Sequence, residues 1–380
     1  MHRRRFLAGA AAVSAGTFSG WARAESTAPR LLILLELRGG NDGLNTVLPA
    51  DLGRYRDLRP RVALGDEAVV RLAPALTMHA SLAPLQPLWD AGELAVLQGV
   101  GYPQPNLSHF RSIEIWDTAS DSAQTLMQGW LTRVAALDAR FGAFAADGVI
   151  VGAPDLGPLA GGARAVAVAD PARFARAARL AQAEAAPARG AMAHLLRVEA
   201  DIVRAGAEIR PDMHFSTAFP RGPFGLAVQH AAGIAATRKV PVLRVTLGGF
   251  DTHAAQLPRQ AELLRQLAEG IVTLRAALVE AGLWQQTLLL TYSEFGRRPR
   301  ENGTGGTDHG TASVQFACGG AVRGGLLGEQ PALDRLDRDG NLPHAIDFRA
   351  VYATVLERWW QLDSTRVLGG RFAPLPLLRA

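Results

Sequence analysis

The sequence predicts an α/β protein built on a mostly parallel sheet covered on both faces. Three observations carry this. Six short runs are continuously apolar rather than alternating, as strands buried on two sides must be. Helix-periodic segments lie between them, the alternation that makes parallel sheets. Several of the runs end in glycine-rich turns bearing Asp, Glu or His, at the edge where open α/β sheets bind ligands.

In chain order, "LLILLELRGGND" at 31–42 is the first strand and ends in Gly39-Gly40. "HASLAPLQPLWDAG" predicts a helix closed by Gly92. "ELAVLQGVG" at Glu93–Gly101 is the second strand, and "HFRSIEIW" begins a helix after it. "ARAVAVA" at Ala163–Ala169 is a weaker third strand. Two Ala-rich helical segments follow, "PARFARAARLAQAEAA" and "GAMAHLLRVEADIVRAGAEIR". They predict a helical excursion near 165–215 from a single α/β domain over 25–380. "VPVLRVTLGGFD" at Val240–Asp251, "QTLLLTYSEFG" at Gln286–Gly296 and "SVQFACGG" at Ser313–Gly320 complete the strands. Long amphipathic helices are predicted over Gln260–Trp284 and Asp347–Trp360.

At 380 residues and 48% hydrophobic, the chain can bury a large core. The formal charge is +5 and Lys239 is the sole lysine, the arginines being scattered among acids. No basic run with interleaved aromatics follows the N-terminus, which argues against a nucleic-acid partner. No run reaches the roughly 18 apolar residues of a membrane helix. The single Cys318 permits no internal disulfide and reads as a buried strand residue. Residues 1–24 read as a twin-arginine signal: Arg3-Arg4-Arg5-Phe6-Leu7, a weakly apolar middle, and Ala22-Arg23-Ala24 before the cut. The expectation is transport by the Tat translocon to the periplasm or beyond.

Five loops gather the chemistry. Asp42 follows the first strand; Ser108 and His109 follow the second; Asp251 and His253 follow the fourth; Glu294 follows the fifth; Asp308 and His309 precede the sixth. Each has a plainer reading. Gly-Asn-Asp-Gly makes a tight turn, Ser108 caps a helix, and Glu294 pairs with Arg297 or Arg298. His79 and His344 read as structural. Jointly, carboxylates and imidazoles suit zinc, manganese or iron, and further oxygens admit magnesium or calcium. Two metals roughly 4 Å apart can clamp both sides of a displacement at phosphorus. A serine at a helix N-terminus gains from the helix dipole.

"LELRGGNDGLNTVLP", "GVGYPQPNLSHFRSIEIWDTA", "TLGGFDTHAAQ", "TYSEFGRRPRENGTGGTDHGTAS" and "DFRAVYATVLERWW" resemble the DUF1501 family, exported bacterial proteins of uncharacterised function. The resemblance runs from about residue 30 to 378. That family is placed in the alkaline phosphatase and sulfatase superfamily, which implies an alkaline phosphatase-like three-layer α/β/α sandwich with a metal site at the strand ends. The resemblance implies one or two divalent ions on Asp42, Asp251, His253, Glu294, Asp308 and His309. Ser108 matches the superfamily nucleophile, His109 would orient substrate or leaving group, and Arg111 and Arg297 would neutralise an anion. Glu294-Phe295 departs from the Asp-His of alkaline phosphatases, leaving one His ligand fewer. No C/S-x-P-x-R sequence of the sulfatases lies near Ser108.

The expected function is an exported metal-dependent hydrolase of a small-molecule or polymeric phosphate or related ester, with in-line attack by Ser108 or a metal-bound water. The alternatives are a non-catalytic exported binding or surface protein, and a sulfatase- or phosphomutase-like activity.

Overall fold

The computed structural model describes residues 30–180, 190–209 and 212–379. The expected signal at 1–24 and the end of the first Ala-rich segment lie outside them. In chain order the strands are β1 (Leu31–Arg38), β2 (Val69–Ala73), β3 (Leu76–His79), β4 (Leu94–Gly101), β5 (Gly148–Val151), β6 (Ala165–Val168), β7 (Val242–Gly248), β8 (Thr287–Tyr292), β9 (Arg297–Glu301), β10 (Thr307–His309), β11 (Ser313–Cys318), β12 (Gly325–Gly328) and β13 (Ile346–Asp347). The helices are α1 (Leu52–Leu58), α2 (Gln86–Asp90), α3 (His109–Thr118), α4 (Trp130–Leu137), α5 (Pro171–Leu180), α6 (Gly190–Glu208), α7 (Pro223–Ala236), α8 (Gln256–Glu280), α9 (Phe348–Thr354) and α10 (Ser364–Leu368).

The central sheet runs β12-β4-β11-β8-β1-β7-β5-β6, with β13 also on β4. Its centre is β1, parallel to β7 on one side and β8 on the other. The continuous apolarity of β1 has the expected cause. Leu31, Ile33, Leu35 and Leu37 join the core that includes α7 and α8, whereas Leu32 and Leu34 join the core that includes α3, α4 and α9. Burying each such side chain is worth roughly 1.5–3 kcal/mol. The result is a three-layer α/β/α sandwich. Glu36 breaks the apolar run and is fully buried. Arg244 at 2.7 Å and the Thr246 hydroxyl at 2.8 Å satisfy it.

All six expected strands form. β11 is antiparallel to both β4 and β8, while the remaining pairings in the sheet are parallel. That reversal places the N-terminal entry of β11 at the same edge as the carboxyl ends of β1, β4, β7 and β8. All five polar loops therefore meet at one edge. The helix expected before Gly92 is instead a 3-10 segment, Ala80–Leu85, followed by the short α2, because Pro84 and Pro87 remove amide donors. The helix expected to Trp360 passes from α9 into a π-helical turn over Val355–Trp359. β5 went unseen in the sequence because it has only four residues. Cys318 is buried, and burial pushes its thiol pKa up. No helix among the described residues is long and apolar enough to cross a membrane.

Candidate metal centre

The loops after β1 and β7 lie in direct contact, and glycine makes that possible. Gly39 has φ +119°, and a Cβ there would fall 2.4 Å from the Asp251 amide nitrogen. Arg297, at the start of β9, laces the loops together from inside. Its guanidinium donates to the carbonyls of Gly40 (2.8 Å), Phe250 (3.1 Å), Thr307 (2.9 Å) and Gly39. It also donates to the Asp251 carboxylate at 2.5 Å. A planar fork with five donors suits this task, and a lysine would not.

Around Asp251 three imidazoles are arranged in the same way. His109 Nδ1 donates to Glu294 at 2.8 Å, His253 Nδ1 to Asp308 at 3.1 Å, and His309 Nδ1 to the Leu107 carbonyl at 2.8 Å. Acceptors on every Nδ1 assign its proton there and leave each Nε2 with a lone pair. The Nε2 atoms of His253 and His309 are 3.0 Å apart. They lie 3.0 and 3.3 Å from Asp251 Oδ1. His109 Nε2 approaches the other oxygen, Oδ2, at 3.5 Å. Phe295 packs on the rings of His109 and His309, centroids 4.8 and 4.5 Å away.

Facing lone pairs at such distances repel unless a cation or a proton stands among them. The triangle of His253 Nε2, His309 Nε2 and Asp251 Oδ1 has edges close to those of a tetrahedron with bonds of about 2.0 Å, roughly 3.3 Å. Outer carboxylates and carbonyls holding the far nitrogens are the usual support of ligating histidines. The donor set therefore fits a divalent ion. Charges agree with the geometry. Burial acts to raise the Asp251 pKa, yet Arg297, His253 and His109 hold it down to about 2. The Glu294 hydrogen bond raises the pKa of His109, whereas burial lowers that of His309.

The structure brings Asp251, His253, His309 and His109 together, whereas Asp42, Glu294, Asp308 and Arg111 spend their polar atoms on other partners. Asp42 is fully buried with both oxygens on Arg59, at 2.7 and 3.0 Å, and it also accepts from Gln256. It is a partner in a buried ion pair, with both oxygens already accepting hydrogen bonds. Glu294 accepts from the Gly39 amide as well as from His109, so it stands behind an imidazole. Asp308 likewise stands behind His253, helped by Asn302 at 3.1 Å. Arg111 spends its guanidinium on Glu114 and on the carbonyls of Asp121, Ser122 and Gln124, which fixes a turn. Ser108 is the exposed N-cap residue of α3, and its hydroxyl makes no capping hydrogen bond. Sequence reasoning missed Arg59, which lies in no motif, and Asn302 and the Leu107 carbonyl, which sit inside family-like stretches but offer neither a carboxylate nor an imidazole.

His109, Asp251 and Glu294 also line one end of a groove of about 820 Å³ that extends along α3 to Asp117. With Asp308→Ala, His253 Nδ1 loses the carboxylate that holds its ring. Divalent-ion affinity should fall roughly 10–100-fold, read by competition with a chromophoric chelator. Unchanged affinity would remove Asp308 from the support of the centre.

The family model described as "Protein of unknown function (DUF1501)" matches residues 95–370. No curated protein matches the chain in sequence. Among solved structures, the lipoteichoic acid synthase LtaP from Listeria monocytogenes is 8% identical, with 89% of this chain and 73% of that one covered and a TM-score of 0.39. The PsFucS1 sulfatase from Pseudoalteromonas sp. is 12% identical, covering 92% and 71%, with a TM-score of 0.42. The C-terminal periplasmic domain of EcEptC from Escherichia coli is 9% identical, covering 90% and 86%, with a TM-score of 0.41. At such identities and scores the likeness says nothing about activity.

Proposed function

The chain belongs to the DUF1501 family, and from its site we propose that it is an exported, metal-dependent hydrolase of a phosphate or related ester. One observation carries the reading: three imidazoles, each held at Nδ1, turn Nε2 towards one carboxylate beside a large groove. Imidazole nitrogens with a carboxylate favour zinc, whereas magnesium and calcium ask for more oxygens. A zinc ion held by His253, His309 and Asp251 would supply Lewis acidity to the ester's non-bridging oxygen.

The remaining work falls to side chains. Arg297 keeps Asp251 ionised and in place. Ser108, at the positive end of α3 with its hydroxyl free of capping, is the nucleophile. His109 faces the groove with its ring fixed by Glu294, and in its imidazolium form it would donate from Nε2 to the departing oxygen. Export rests on the arginines and cleavage site of residues 1–24.

A second reading has its own support. Arg297 already gives Asp251 a cationic partner at 2.5 Å, as a binding protein that has no need of a metal would. The test is zinc-loaded protein assayed on p-nitrophenyl phosphate and bis-p-nitrophenyl phosphate. Turnover that drops about 100-fold or more in Ser108→Ala, with zinc content unchanged, supports the hydrolase. Full zinc occupancy with no turnover of either phosphate ester, or of p-nitrophenyl sulfate, leaves the binding reading.

A further inference from the structure

The groove beside the centre has a composition of its own. Phe110 and Met127 stand on its rim with relative exposures of 89% and 85%. Ile113, Leu126 and Leu156 add apolar surface. Asp117 lies on the same helix as His109, eight residues further, or about 12 Å along the axis. Its Oδ1 is buried and has no hydrogen-bond partner among the described residues.

We propose that this groove holds the departing portion of the ester as a neutral hydroxylated ring, one face on Phe110 and Met127 and one hydroxyl on Asp117. The inference rests on the hydrolase reading and names its substrate class.

The charges near Asp117 select the partner. Arg38 is bonded to Glu36 at 3.1 Å and Asp155 at 2.7 Å; Arg244 is bonded to the same two acids at 2.7 and 2.6 Å. Neither is free for an anion. An ammonium group would meet the guanidinium of Arg38, which lines the groove. A hydroxyl meets neither objection, since it can donate and accept. Burial pushes the Asp117 pKa well above the carboxylate range; Arg244 opposes the shift, and Glu36 and Asp155 add to it. A protonated carboxyl also donates and accepts, which matches a hydroxyl. The side chain is partly exposed and lines the groove, so a ligand hydroxyl there meets its carboxyl group. A ring with an apolar face suits an exposed Phe and Met.

The test uses the zinc-loaded full mature chain with three probes that share a phenyl group: phenyl β-D-glucopyranoside, phenethylammonium and phenylacetate. None is a phosphate ester, so binding is read by calorimetry without turnover. The glucoside should bind best. Asp117→Leu and Phe110→Ala should each weaken it about 3–10-fold, while Asp117→Asn, which still donates and accepts, stays within about 2-fold. Thermal melting and zinc content of each variant show that fold and centre are intact. Tighter binding of the ammonium probe, lost in Asp117→Asn, would overturn the proposal in favour of a cation site. Glucoside binding indifferent to Asp117 and Phe110, or absent, would also overturn it. With zinc retained, these failures leave the hydrolase untouched; loss of zinc from the wild-type protein would instead strike the hydrolase.

Discussion

His309→Ala should strip the protein of tightly held zinc while leaving it folded. His309 contributes one corner of the donor triangle, and its Nε2 lies 3.0 Å from His253 and 3.3 Å from Asp251. Without it two donors remain, and affinity should fall by more than the roughly 10–100-fold that loss of an outer partner costs. The side chain is 22% exposed and makes one hydrogen bond outside the cluster, to the Leu107 carbonyl. Its removal should therefore cost little stability, within about 1 kcal/mol. Asp251→Ala should lose zinc as well, but at a larger stability cost, because Arg297 loses its anionic partner. Paired chelator competition and urea unfolding measure both. Stoichiometric zinc in His309→Ala at wild-type affinity would remove His309 from the centre.

Asp42→Ala should do the reverse, unfolding the protein readily without touching the ion. Asp42 and Arg59 are each completely buried. Arg59 further donates to Asn45 at 2.6 Å and to the carbonyls of Pro299 and Arg298 at 2.7 and 2.9 Å. Removing the carboxylate leaves a guanidinium desolvated and uncompensated, a loss of about 3–5 kcal/mol. Replacing both residues with apolar ones of similar volume should cost less than the single change, because no orphan charge remains. Urea midpoints of Asp42→Ala and Asp42→Leu/Arg59→Met against wild type give the answer. Wild-type stability together with lost zinc would return Asp42 to the ligand set implied by the family resemblance.

These two residues show where sequence reasoning reaches and where it stops. Asp42 and Asp251 each follow a strand and a glycine pair, and by pattern they are equivalent. Only Arg59, seventeen residues beyond Asp42 in no recognisable motif, separates their roles. The strands themselves were legible because β1, β4, β7 and β8 are apolar on both faces. The direction of β11 was not, since a short, largely apolar strand reads alike either way. Asp308 and His309 are adjacent on β10, and side chains alternate across a strand. One therefore faces solvent and supports His253, while the other turns inward. Glu294 sits one residue after Ser293, whose hydroxyl bonds the Leu37 carbonyl, so its carboxylate stays under the β1 loop and behind His109. Asp117 lies in a stretch that carries the family resemblance, but the groove that gives it meaning is assembled from distant segments.

The most direct test of the account is X-ray absorption spectroscopy on zinc-loaded mature protein, with metal content measured on the same sample. The account predicts about one tightly bound zinc with at least two imidazole nitrogens and a carboxylate oxygen at about 2.0–2.1 Å. An all-oxygen shell, or no retained zinc after loading and dialysis, would contradict it.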